Sequence, residues 1–131
     1  MPEKFNPPTV HKPDGYSHVT ISPAGRLIHF AGQCPLSIDD QVVGGDLTTQ
    51  TDQVITNCLA VLAAASVSPA DIVRSIVYVV SSKPSDLSAV WRQLLESPLA
   101  PAFSTASTLL GVTALGYEGQ LVEVDLTAAA D

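Results

Sequence analysis

The chain has 131 residues, enough for one domain with a core of its own and no need of disulfide or metal staples. Its net charge is −7, from 13 acidic and 6 basic residues, and only 5% of it is aromatic, which is not the basic, aromatic-interleaved surface of a nucleic-acid binder. Hydrophobic residues make up 46% and charged residues 15%, an apolar surplus that in so small a domain points to a buried subunit interface.

In chain order, Pro2, Pro7, Pro8, Pro13 and Gly15 make residues 1–15 an irregular arm, since repeated prolines forbid helix and interrupt a ladder. Tyr16 to Ser22 alternates as a strand, Ser22 to Gly25 is a turn, and Arg26 to Ala31 is a second strand, so the pair reads as a hairpin. A short strand is expected over Gln41 to Gly45. Asp46 or Thr48 caps a helix running to Ala65, with Leu47, Val54, Cys58, Val61, Leu62 and Ala65 recurring at three- and four-residue steps. Asp71 to Ser81 is dense in β-branched residues and reads as a central strand. Ser85-Asp86 caps a second helix, Leu87 to Glu96, which Pro98 and Pro101 end. Strands over Ser104 to Leu110 and Gln120 to Ala128 follow. The order β-β-(β)-α-β-α-β-β predicts an α+β domain over residues 1–131, a mixed sheet with two helices on one face.

Cys34 and Cys58 lie in apolar contexts, and no Cys/His spacing would ligate zinc, so neither a metal nor a cofactor is expected. Nothing resembles a secretory leader, and no apolar run approaches the roughly 18 residues of a membrane span. The expectation is a cytoplasmic protein with two free thiols and no membrane partner.

Strand alternation over Leu121 to Leu126 puts Leu121, Glu123 and Asp125 on one face and Val122, Val124 and Leu126 on the other. By pattern alone the two carboxylates are a solvated strand face; beside a leucine, one of them is also placed to be partly desolvated and act as a base. Gly32 in Ala31-Gly32-Gln33 suits a close backbone approach or a positive φ. His29 sits in mid-strand and His11 in the arm, and neither belongs to a serine–histidine–acid order.

Three segments carry a resemblance: His29-Phe-Ala-Gly-Gln-Cys-Pro-Leu36, the helical run from Asp46 to Ala65, and Gly111 to Ala128 with its Val122-Glu-Val-Asp125 core. In this order and spacing they resemble the RidA (YjgF/YER057c/UK114) family, over roughly Gly15 to Ala128. The resemblance implies a chorismate-mutase-like fold and a homotrimer whose sheets face inward, with clefts for a small-molecule substrate between subunits. It implies that Glu123 positions water, that Asp125 is structural, and that Tyr16 lines the cleft with Gly32 and Gln33 nearby. RNA cleavage, also reported under this family's name, is disfavoured by the charge.

The resemblance also marks departures. The family holds its substrate carboxylate with an arginine upstream of the glutamate. With Val112 and Leu115 fixing the register, that position is Ser107; a looser alignment of Pro101-Ala-Phe-Ser104 puts Phe103 there. The only arginines are Arg26, Arg74 and Arg92, and a serine hydroxyl does not replace a fork-shaped, charge-assisted clamp. Trp91 stands where many relatives carry asparagine, Ala31 where they carry serine and Leu109 where they often carry cysteine. The implied pocket is more apolar, suited to a larger or uncharged ligand. Three readings follow: an enzyme acting on an imine, enamine or related molecule without a carboxylate clamp; a non-catalytic trimer binding a metabolite or peptide; and a 2-imino-acid/2-aminoacrylate deaminase.

Overall fold

The computed structural model describes residues 2–131. Two short strands, β1 (Glu3–Phe5) and β2 (Val19–Ile21), pair antiparallel. The main sheet is built from β3 (Arg26–His29), β4 (Ile72–Val80), β5 (Ala106–Val112) and β6 (Val122–Ala130), in the order β3-β6-β4-β5. β4 and β5 run parallel, and β6 is antiparallel to both β3 and β4. The parallel pair needs a crossover, supplied by helix α2 (Pro84–Leu95). Helix α1 (Leu47–Ala64) packs over β6, α2 packs over β5 and β4, and the two helices touch.

Period-two patterning decides which face the helices cover. Val77, Val79, Val122, Val124 and Ala128 are fully buried, as is Leu126 at 1% exposure, against Val54, Cys58 and Leu62 of α1 and Val90 and Leu94 of α2. The intervening residues Ile76, Tyr78, Glu123 and Asp125 project to the opposite face, where Tyr78 pairs with Glu123 and Ile76 with Asp125. Neither helix covers that face. Leu27 and Leu110 lie on it at 56% and 42% exposure.

The helices and the central β4 stand where their patterns put them, and Asp46 is the cap of α1. Its carboxylate accepts from the Thr49 N–H at 2.7 Å, which holds its pKa below the usual range. The second cap differs from expectation. α2 begins at Pro84, with Lys83 as the capping residue, because proline fits the first helical position; Asp86 then lies in the first turn and accepts from the Ser81 hydroxyl.

The expected hairpin does not form. β2 pairs with β1 inside the proline-rich arm, and β3 pairs with the distant β6. The turn was legible, but a turn does not dictate that its flanks pair. Gly25 lies so close to the Ala130 carbonyl that an added Cβ would meet it at 2.5 Å, so the end of the turn already packs against the β6 edge on which β3 pairs. The strand expected over Gln41 to Gly45 is reduced to one bridge, Leu36 to Val42. The last two strands each begin two residues later than expected, β5 after a short 3₁₀ turn at Ala100–Phe103.

One buried polar side chain ties the loops to the core. Gln50 of α1 is fully enclosed; its amide donates to the carbonyls of Gly44 (3.0 Å) and Gly119 (2.9 Å), and its oxygen accepts from the Leu121 N–H (2.8 Å). Gln50→Leu would strand all three backbone groups, and urea unfolding is expected to show a loss of about 3 kcal/mol.

Candidate functional site

Glu123 is half-buried on the sheet face away from the helices, and two donors meet one of its oxygens. Oε1 accepts from the Gln120 amide at 3.0 Å and from the Cys34 thiol at 3.2 Å. Gln120 is itself buried and fully engaged, accepting from the Tyr117 N–H at 3.1 Å and donating also to the Val122 carbonyl at 3.1 Å. Burial first, and then the Glu123 carboxylate, push the Cys34 thiol up to about 11. At neutral pH Cys34 is therefore protonated and donates. The other carboxylate oxygen, Oε2, lies against the Cα of Gly32, where an added Cβ would fall on it. Gly32 has no side chain because Glu123 occupies that space.

The backbone brings these groups together through a bulge. His29 pairs with Thr127 and Gln33 with Val124, so four steps on one strand match three on the other. The extra residue re-aims the 30–34 segment. Beyond it, Gln33 and Val124 exchange both backbone hydrogen bonds, at 2.7 and 3.1 Å, which sets Cys34 beside Glu123. Asn57 of α1 holds the segment from behind, donating to the carbonyls of Cys34 (3.0 Å) and Leu36 (2.9 Å). The Gln33 side chain donates to the Ala31 carbonyl at 3.0 Å.

A second feature lies at the free edge of β5. A cleft of ≈ 320 Å³ is lined by Asp14, Tyr16, Trp91, Ser107, Thr108 and Leu109. The arm forms one wall because Ser17 is stitched to β5: its N–H donates to the Thr105 carbonyl (3.1 Å) and its hydroxyl to the Ser104 carbonyl (2.7 Å). The Tyr16 hydroxyl meets His11 Nε2 at 2.6 Å. Three residues singled out in the sequence, Tyr16, Trp91 and Ser107, thus share a cleft, while Glu123, Gly32 and Gln33 form a separate group. Ser107 lies on the helix-facing side of the sheet, opposite to Glu123, and its hydroxyl is engaged with Ser75 and the carbonyls of Phe103 and Thr105. Phe103 is fully buried behind Trp91, ring centroids 5.7 Å apart and edge-to-face, and does not line the cleft.

One arginine, Arg74, is bonded to a residue of the cleft. Its guanidinium donates at 2.7 Å to the hydroxyl of Thr108, a cleft residue. Sequence reasoning missed this, along with Cys34, Gln120 and Asn57 around Glu123. Asn57 left a signal: with Gln50 it is a polar residue seven positions along the buried side of an apolar helix, where only a hydrogen-bonding duty keeps a polar group. Among the described residues no group of three or more His, Cys, Asp or Glu side chains could hold a metal ion, and no helix is long and apolar enough to cross a membrane.

Gly32→Ala separates site from fold. The atom it displaces first ends a flexible side chain and not backbone, so the fold is expected to survive with a loss of about 1–3 kcal/mol. The carboxylate must move, and any turnover that depends on it should fall by about 100-fold. Thermal melts and rates on one preparation check both.

The fold is similar to that of known proteins. The family model described as Endoribonuclease L-PSP matches residues 9–130. A solved structure of YyfB from Yersinia pestis, titled a protein of unknown function of the conserved Rid protein family, is 36% identical, with 98% of each chain covered and a TM-score of 0.88. Rv2704 from Mycobacterium tuberculosis, described as a member of the YjgF/YER057c/UK114 family, is 30% identical over 88% of this chain and 87% of that one, with a TM-score of 0.58. The RutC family protein PH0854 from Pyrococcus horikoshii is 39% identical over 56 residues, 42% of this chain; the match spans less than half of that protein, 44%. With nearly its whole length matched, the chain belongs to the RidA family, also written YjgF/YER057c/UK114.

Proposed function

We propose that this chain is an enzyme of the RidA superfamily that moves a proton or activates water on an imine, enamine or related small molecule, with Glu123 as the acting group. The observation that supports it most is the carboxylate itself. It is half-buried, two donors hold one of its oxygens, and the other lies over a glycine that leaves it room. A carboxylate withdrawn from water costs stability unless it is partnered or used, and among the described residues its partners occupy only Oε1. Oε2 is left to accept a proton or orient a water molecule.

Assembly completes this reading. Within one chain Glu123 does not line the cleft of Tyr16, Trp91 and Ser107. The sheet face that carries Glu123 also exposes Leu27 and Leu110, and a homotrimer packing these faces inward would cover them and bring one subunit's Glu123 to a neighbour's cleft. Trp91 and Leu109 would wall an uncharged or bulky substrate there. The net charge of −7 speaks against RNA as substrate.

Arg74 favours a second reading. Its hydrogen bond to Thr108 leaves a guanidinium at the cleft rim with donors to spare, and a substrate carboxylate bound there would make the chain a 2-imino-acid deaminase by another arginine.

Two probes decide. Purified protein is given 1-pyrroline, an imine without a carboxylate, and its carbon-bound hydrogen exchange is followed by NMR; in parallel, 2-iminopropionate is generated in situ and ketoacid release is followed. The proposal expects acceleration of 1-pyrroline exchange, little acceleration with 2-iminopropionate, and a fall of at least about 100-fold in Glu123→Gln with the melting temperature preserved. Fast 2-iminopropionate hydrolysis that is lost in Arg74→Ala would establish the second reading. No acceleration of either probe would leave a non-catalytic binding module.

A further inference from the structure

Resting on Glu123 as the proton-transfer group, we infer that Cys34 and Gln120 are its positioning residues: together they pin Oε1 and leave Oε2 as the single atom that exchanges a proton with the substrate. The two donors come from opposite sides of the chain's topology. Cys34 is carried by the bulged segment paired with β6, and Gln120 by the loop that enters β6. Each is fixed by its own support. Asn57 of α1 holds the carbonyls of Cys34 and Leu36, and Gln50 of the same helix holds the backbone of Gly119 and Leu121 on either side of Gln120.

Two donors on one oxygen fix the rotation of the carboxylate, and the Gly32 Cα sets how near the other oxygen can lie to the backbone. Oε2 accepts no hydrogen bond from the described residues. A carboxylate held in this way meets the substrate with one lone-pair direction already set, which reduces the reorientation required in the transition state. The step itself is a proton shuttle. In hydrolysis Oε2 takes a proton from water as the water oxygen bonds to the C=N carbon, and gives that proton to the nitrogen. In exchange or tautomerisation it takes a proton from the carbon next to the C=N bond and returns one to that carbon or to the nitrogen. The thiol keeps its own proton throughout.

The geometry is tested first without turnover, by alkylating the intact protein with iodoacetamide at pH 8.5. The thiolate is the species that reacts. Replacing the charged acceptor in Glu123→Gln removes an influence that disfavours the thiolate, so Cys34 should react roughly fivefold to tenfold faster. Cys58 is buried in the core and reports folding, because it should stay unreactive in every variant. An unchanged Cys34 rate with Cys58 still protected would overturn the contact and the inference with it.

The role is tested with 1-pyrroline exchange. Cys34→Ala and Gln120→Met are expected to lower kcat on the order of tenfold with KM nearly unchanged, and Cys34→Ser to restore most of it. Wild-type kcat in both variants would overturn the positioning role while leaving Glu123 as the base. A Glu123→Gln chain as active as wild type would overturn the underlying reading, whatever the alkylation rates show.

Discussion

Everything at this site depends on one carboxylate withdrawn from water on the face of a sheet. A half-buried Glu123 needs donors, and the chain supplies them from both directions along the sequence, a thiol from residue 34 and an amide from residue 120. It also needs space, which only a residue without a side chain provides at position 32. The bulge between His29 and Gln33 serves both needs, since an unbroken ladder continuing from β3 would place different residues opposite Glu123.

Helix α1 is the support behind these contacts. Its apolar stripe anchors it over β6, and two polar residues on the same side, Gln50 and Asn57, reach out to the loops on either flank of the site. They lie two turns apart, so they project from one helix face toward different loops. The core and the site are therefore built on the same element, and the register of α1 over β6 is transmitted through Gln50 and Asn57 to the donors around Glu123.

Much of this was legible in the sequence because periodicity is a local property. The stripe of α1, the β-branched run of β4 and the alternation of β6 placed Glu123 on the face away from the core, where it stands. Pairing partners were less legible. The Ser22 to Gly25 turn looked like a hairpin, yet β3 crosses to β6, a choice made by contacts about a hundred residues apart in the chain. The site suffered from the same limit. Cys34 read as a free thiol in an apolar context and Gln120 as the first residue of a strand, because hydrogen bonds between distant residues leave no periodic trace. Arg74 read as one residue of a strand, and only the packing of β4 beside β5 brings its guanidinium to Thr108.

The central claim is that Glu123 of one subunit acts in the cleft of another. Subunit mixing tests it directly. Glu123→Gln lacks the carboxylate but has an open cleft; Thr108→Trp fills the cleft but keeps the carboxylate. Each is expected to be inactive alone toward 1-pyrroline. If the site is shared, co-refolded or co-expressed mixtures must regain activity, since some interfaces then join an intact Glu123 to an intact cleft. Mixed oligomers as inactive as their parents would contradict the account and require each chain to hold a complete site of its own, or none.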